Sequence, residues 1–301
     1  MLSLVLAAAF FVGIHVGIAG TRVRDALTTR LGEQAYLGLF SLASLAGMIW
    51  LTTAYGGASY VAVWGRLAAL RPLALPVVLV AFVLAVLGLT TPSPTVVGGE
   101  KMLEAAEPAT GIQRVTRHPF LWGVAIWAAM HLVVNGNLRA LVLFGSLLFL
   151  GLYGPVSIDA KRARRFGAAW ERYAAVTSNV PFAAIAERRN RLRFDEIGWG
   201  RVTFAVVVFA TVLLMHPILF GGNPLGFLGA DAGVSSGVKV AGAGAGVSGR
   251  QGTGEKNAFP PANSASSHGP KSQRINHSTR ASRQWRRLLL KKASGFCCDS
   301  W

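Results

Sequence analysis

Thr116 to Asn137 reads TRHPFLWGVAIWAAMHLVVNGN. It is a run of Phe, Leu, Trp, Val, Ile, Ala and Met, with Arg117-His118-Pro119 at its start and His131 in its middle. In water such a histidine would mean little. In lipid an ionisable side chain is costly, and its presence there carries information. Proline suits a first helical turn, because the N–H it lacks would be unpaired anyway.

The rest of the chain puts this stretch in lipid. Of 301 residues, 52% are hydrophobic and 14% are charged, and the mean hydropathy is +0.45. Those values belong to polytopic membrane proteins. A helix crosses a bilayer core with about 20 apolar residues. Six segments qualify or nearly so: 2–20, 36–55, 72–90, 120–134, 138–157 and 202–221. The fourth is short and draws on its flanks. Open sheet edges cannot be satisfied in lipid, so the expected fold is an all-α membrane bundle of about six helices. The alternation of an outer-membrane barrel is absent.

Basic residues set the expected sidedness. The loops after segments 1, 3 and 5 hold sixteen Lys and Arg, and the opposite loops hold Arg66, Arg71 and Arg139. This predicts an inner-membrane protein with those loops in the cytoplasm and the N-terminus in the periplasm. The first segment lacks a positive start and has Arg22 and Arg24 after it, so it reads as a retained anchor. The net charge of +17 divides between membrane-flanking loops and a tail. It therefore points to anionic lipid and not to nucleic acid. Residues 1–227 form the expected membrane domain. Residues 228–301 are rich in Gly, Ser and Arg and read as a disordered tail with no assigned function. Cys297 and Cys298 are adjacent and have no metal-ligand spacing.

Two histidines fall inside spans. His15 lies in GIHVG, and on a straight helix it shares a face with Phe11, Ile18 and Arg22. Arg22 would stand about 10 Å below it. A ligand with iron at His15 and carboxylates at the basic surface fits that column, and haem has this shape. His131 shares its face with Trp127, Ala128 and Arg117. Neutral imidazole is a common axial ligand to haem iron. The competing reading is that each histidine only makes an interhelical hydrogen bond. His216, before Pro217, reads as an interfacial residue. Arg117 and His118 at a helix start also suit an anionic cytoplasmic ligand. The stretch 159–185, with Lys161, Arg162, Arg164 and Arg165, reads as an amphipathic helix on lipid, with Phe166, Trp170 and Tyr173 dipping inward.

Three motifs carry a resemblance: HVGIAGTRVRDAL with His15 and Arg22, then TRHPFLWGVAIWAAMHLVVNGN, then RRFGAAWERYAAVTSNVPF. They resemble the NnrU family of bacterial membrane proteins over residues 1–222. The resemblance implies a role in nitrogen-oxide metabolism, with nitrite and nitric oxide reductase components as partners. It also implies kinship with the plant zeta-carotene isomerases, haem b proteins that convert a cis double bond without net redox change. Their ligand histidines would fall on His15 and His131. The column below His15 adds Arg22 as the partner expected for a propionate, with Arg117 as the second. Those isomerases can carry a cysteine where Ala128 stands here, so thiolate ligation is not available at that place. A weaker likeness, through Arg117-His118-Pro119, FGAAWERY and VPF, is to isoprenylcysteine methyltransferases, which bind S-adenosylmethionine. It implies an alternative cytoplasmic site at Arg117, His118 and Asp159. The paired glutamates of those enzymes would fall on Ile158 and Asp159, so one acid is missing.

Overall fold

The computed structural model describes residues 1–96, 98–105 and 107–226. The reading of 228–301 as a tail lies outside the described residues. Nine α-helices are described: α1 Leu2–Gly13, α2 Arg22–Leu31, α3 Glu33–Gly57, α4 Arg71–Thr90, α5 Pro119–Asn135, α6 Leu138–Phe166, α7 Ala168–Val176, α8 Ala183–Ala186 and α9 Trp199–Phe220. No strand occurs among the described residues, only an isolated bridge between Ala62 and Asn137.

Among the described residues, five helical segments are long and apolar enough to span a bilayer: Leu2–Ala19, Glu33–Gly57, Ala68–Thr90, Leu138–Phe166 and Trp199–Phe220. Helix α5 has 17 residues and falls below that length, as the sequence leads one to expect. The protein is therefore a multi-pass membrane bundle. Its surface agrees: Leu42, Leu214 and Ile218 are 65%, 70% and 74% exposed. Such side chains at mid-helix are stable against acyl chains and would be an aggregation surface in water.

Close packing centres on α4, α5 and α6. A Cβ on Gly123 would lie 2.5 Å from the Ala81 carbonyl oxygen and 2.7 Å from the Ala85 nitrogen. A Cβ on Gly88 would clash with the Phe120 nitrogen, and one on Gly151 would lie 2.9 Å from the Ala125 Cβ. Small residues let these backbones approach where lipid offers no hydrophobic drive for association. The α5–α6 turn is fixed from both sides. Gly136 adopts φ 52°, a left-handed value that favours glycine. Its carbonyl accepts from the amides of Val63, Trp64 and Gly65, and Asn137 caps α6 by accepting from Ala140.

Two features depart from expectation. Helix α6 runs on past residue 157 to Phe166, carrying Asp159 and Lys161 on a continuous rod. Beyond it, Gly167 at φ 48° breaks the chain into α7, whose aromatic residues do not enter lipid. Trp170 and Tyr173 are 3% and 0% exposed and pack against Leu103 and Ala109 of the α4–α5 loop. The loop forms a protein surface that competes successfully with lipid for those rings.

Candidate functional site

Both intramembrane histidines are set in the same way. His15 Nδ1 lies 2.7 Å from the Phe11 carbonyl oxygen and His131 Nδ1 lies 2.8 Å from that of Trp127. A carbonyl only accepts, so in each ring Nδ1 carries the proton and Nε2 keeps its lone pair. Among the described residues, neither Nε2 has a hydrogen-bond partner. A ring nitrogen fixed by a backbone carbonyl, with the other nitrogen uncommitted, is the usual form of a metal-ligating histidine. Aromatic rings hold each imidazole: Phe11 and Phe40 around His15, Trp127 and Phe144 around His131.

The structure does not bring the two histidines together. Lys161 Nζ donates to the Ala19 carbonyl at 2.7 Å, which fixes the end of the first span against α6. His131 packs on Phe144, seventeen residues back along α6, a rise of about 25 Å. His15 stands only four residues before Ala19, about 6 Å. A second ruler agrees. His15 meets Phe40, whereas Phe144 meets Tyr55, fifteen residues further along α3, a rise of about 22 Å. The two backbones are thus separated in depth by roughly 20 Å, and leaning side chains recover only part of that. Axial nitrogens on one iron stand about 4 Å apart, twice a metal–imidazole bond. His15 and His131 do not fit one macrocycle in this arrangement, and the expected pairing is corrected accordingly.

The column from His15 to Arg22 fails for a local reason. Ile14–Ala19 is a π-helical turn, which adds residues per turn and breaks the straight-helix phase. Thr21 then caps a new helix, α2, by accepting from the Val23 amide. Arg22 belongs to that second rod and is exposed. Arg24 instead makes the contacts, with Glu33 and over the Tyr36 ring.

The imidazole that shares His131's depth is His216. Helix α4 is the common reference. Phe82 meets Phe209 at 6.0 Å, so His216, seven residues on, falls opposite Leu75. Gly123 sits between Ala81 and Ala85, so His131, eight residues on, also falls opposite Leu75. His216 Nδ1 is likewise committed, to the Gly222 carbonyl oxygen at 2.8 Å. Sequence reading set His216 aside because neighbouring depth on separate helices has no signature in a single chain.

At the basic end, Arg117, His118 and Asp159 do come together. Arg117 Nη2 and Nε donate to Asp159 at 2.7 and 2.9 Å, and His118 Nε2 donates to the other oxygen at 2.6 Å. Arg117 Nη1 reaches the Thr177 carbonyl at 3.2 Å, and its backbone amide donates to Ser178. His118 is 3% exposed. Burial holds it below the ordinary imidazole range, against the pull of Asp159 and with repulsion from Arg117. The cluster ties the start of α5, the end of α6 and the exit of α7 into one closed network. Arg117 is therefore engaged by Asp159 and not free for a propionate, and Asp159 has both oxygens occupied by protein donors.

A second ion pair closes the same surface. Glu196 accepts from Arg114 Nε at 2.7 Å, from Arg193 Nη1 at 2.9 Å and from the Gly111 amide at 2.9 Å. Its hydrogen bond to Arg114 leads in holding its carboxyl down to about 2. A folded pKa below the unfolded value contributes stability above the ordinary carboxylate range of about 4, and that contribution is lost as pH falls towards 2. Protease cleavage in 187–198 should therefore rise steeply over that acid window. In Glu196→Gln it should already be raised at neutral pH.

Residues 3–224 match the family described as NnrU protein. The chain belongs to the NnrU family. Among curated proteins, this NnrU chain is 33% identical over 117 residues to the 15-cis-zeta-carotene isomerase, chloroplastic, of Arabidopsis thaliana, covering 38% of this chain and 32% of that protein. It is 33% identical over 113 residues to the enzyme of the same description from Zea mays, covering 36% and 31%. The chain spans about a third of the length of these relatives. No solved structure matches.

Proposed function

We propose that this NnrU protein binds haem b in the half of the bundle remote from the basic loops, where His131 and His216, at one depth, would be the residues to hold it. The observation that carries the reading is the uncommitted Nε2 of His131, fixed in orientation by the Trp127 carbonyl. His216 supports it by depth and by an equally committed Nδ1. Among the described residues no group of three or more His, Cys, Asp or Glu gathers to cage a bare metal ion. Two neutral imidazoles do not complete a zinc or calcium site, whereas haem brings four nitrogens of its own. When bound, the group supplies one-electron exchange and a centre for small ligands such as nitric oxide. The chain's own residues orient both imidazoles, and the rings of Trp127 and Phe144 enclose that of His131.

The role we propose is accessory to nitrite and nitric oxide reductases in an inner membrane, with the basic loops in the cytoplasm and the N-terminus outside. In a strain lacking its own copy, the wild-type chain should restore nitrite and nitric oxide turnover, and His131→Ala should not. Full restoration by His131→Ala would defeat the reading. A second function, cis–trans isomerisation of a polyene, is favoured by the curated relatives. Geometric conversion of a 15-cis polyene by the purified, reduced protein would establish it.

A further inference from the structure

At the basic end of the bundle, the 107–114 segment, the exit of α7 and the 188–193 loop surround a cavity of about 610 Å³. That volume falls within the range of about 300–1,000 Å³ typical of small-ligand sites. Five arginines line it, Arg114, Arg188, Arg189, Arg191 and Arg193, against one carboxylate, Glu107.

Three of the five are spent on the protein. Arg114 donates to Glu196, Glu107 and Asn190. Arg193 pairs with Asp195 and Glu196. Arg189 pairs with Glu187 and donates to the Ala175 and Thr177 carbonyls at 2.6 and 2.9 Å, which closes the end of α7. The neighbouring acids Glu107, Glu187, Asp195 and Glu196 are each held by one of these three. Among the described residues, the side chains of Arg188 and Arg191 have no carboxylate or hydrogen-bond partner, and both line the cavity.

Their loop is nonetheless pinned. Asn190 accepts from Arg114 Nη1 and from the Arg191 amide, and it donates to the Val176 carbonyl. Arg188 adopts φ 59°, and among the described residues only it and Phe182 are non-glycine residues in the left-handed region. The amides of Arg189 and Asn190 return to the Ala184 carbonyl, so Arg188 sits in the reversal that ends α8. Glycine is the residue such a helix end favours. The chain instead bears the strain and holds an unpaired guanidinium at the cavity wall.

We propose that this cavity binds a phosphate group, gripped by Arg188 and Arg191, carried on a lipid headgroup or on a small soluble anion. Two guanidinium forks match phosphate oxygens through paired donors. Phe194 and Trp199, which lead from the loop into α9, are 61% and 58% exposed and suit the headgroup level, where aromatic rings gather. The site lies at the end of the bundle remote from His131 and is independent of the haem reading.

The test is isothermal titration of the full chain in uncharged detergent with dioctanoyl phosphatidic acid, with pyrophosphate and with dioctanoyl phosphatidylcholine as a control. One equivalent of phosphatidic acid or pyrophosphate should bind saturably, and phosphatidylcholine about tenfold more weakly or not at all. Arg188→Gln with Arg191→Gln should weaken binding about tenfold or more and leave the thermal midpoint unchanged, because neither side chain holds another part of the protein. Arg164→Gln with Arg165→Gln removes the same charge from the same basic surface and should alter affinity less than about twofold. Arg188→Gly should weaken binding yet raise the midpoint, since it relieves the left-handed strain. Binding of phosphatidic acid alone assigns the site to a headgroup, and binding of pyrophosphate alone to a soluble anion. Binding of both assigns it to phosphate whatever carries it, and each of these three results supports the proposal. Saturable binding of neither, or a loss in the Arg188 and Arg191 double variant no greater than in its control, would overturn it.

Discussion

Asp159→Asn should lower the unfolding free energy by about 3–5 kcal/mol, the cost of leaving a buried charge without its counter-ion. Arg117 and Asp159 are 13% and 19% exposed at the side chain, and they share two short hydrogen bonds. Removing the carboxylate strands the Arg117 guanidinium beside the buried His118 ring. The asparagine can replace neither the charge nor both acceptors. The effect should appear as a lower midpoint in thermal unfolding in detergent, with proteolysis opening first at the junction of α6, α7 and the 111–118 segment. A double variant, Asp159→Asn with Arg117→Gln, should recover part of the loss, because no buried cation remains. An unchanged midpoint in Asp159→Asn would mean that the network is a surface ion pair of little worth. The same experiment bears on the methyltransferase resemblance. A closed structural network predicts that S-adenosylmethionine does not raise the midpoint of the wild-type chain.

His131→Ala should raise the dissociation constant for haem by a hundredfold or more. Disturbing a group that merely orients a metal ligand costs 10–100-fold, and this variant removes the ligand itself. The fold should tolerate the change, because the ring's wall is formed by Trp127 and Phe144, which pack on each other at 5.2 Å without it. Added imidazole should restore much of the affinity. His15→Ala should leave haem binding close to wild type, since its depth places it out of reach of the same iron. If His15→Ala and His131→Ala lose haem equally and His216→Ala does not, the depth assignment is wrong.

Much of the architecture was legible because lipid imposes simple demands on sequence. All six apolar segments became helices, five with ends near those expected and α6 running nine residues further to Phe166, and the short one, α5, remained short at 17 residues. The remainder was hidden for physical reasons. A helical wheel assigns faces within one helix but carries no information on the register between helices, so His15 and His131 were paired on chemistry alone. The π-helical turn at Ile14–Ala19 displaced Arg22 from its expected column. No residue type announces such a turn. Arg117, His118 and Asp159 were singled out as a set, yet sequence could not say whether they would hold a ligand or each other. Trp170 and Tyr173 were read as lipid-facing aromatics because their partners, Leu103 and Ala109, lie some seventy residues away. His216 looked interfacial, and only its counterpart on α4 shows that it stands level with His131.

The central claim is that a histidine-held haem sits in this bundle, and titration of the purified full-length chain with haemin addresses it most directly. A saturable Soret shift ending at one equivalent per chain is expected, with sharp low-spin bands on reduction with dithionite. A chain that leaves the haemin spectrum unshifted, after purification without colour from haem-replete cells, would contradict it.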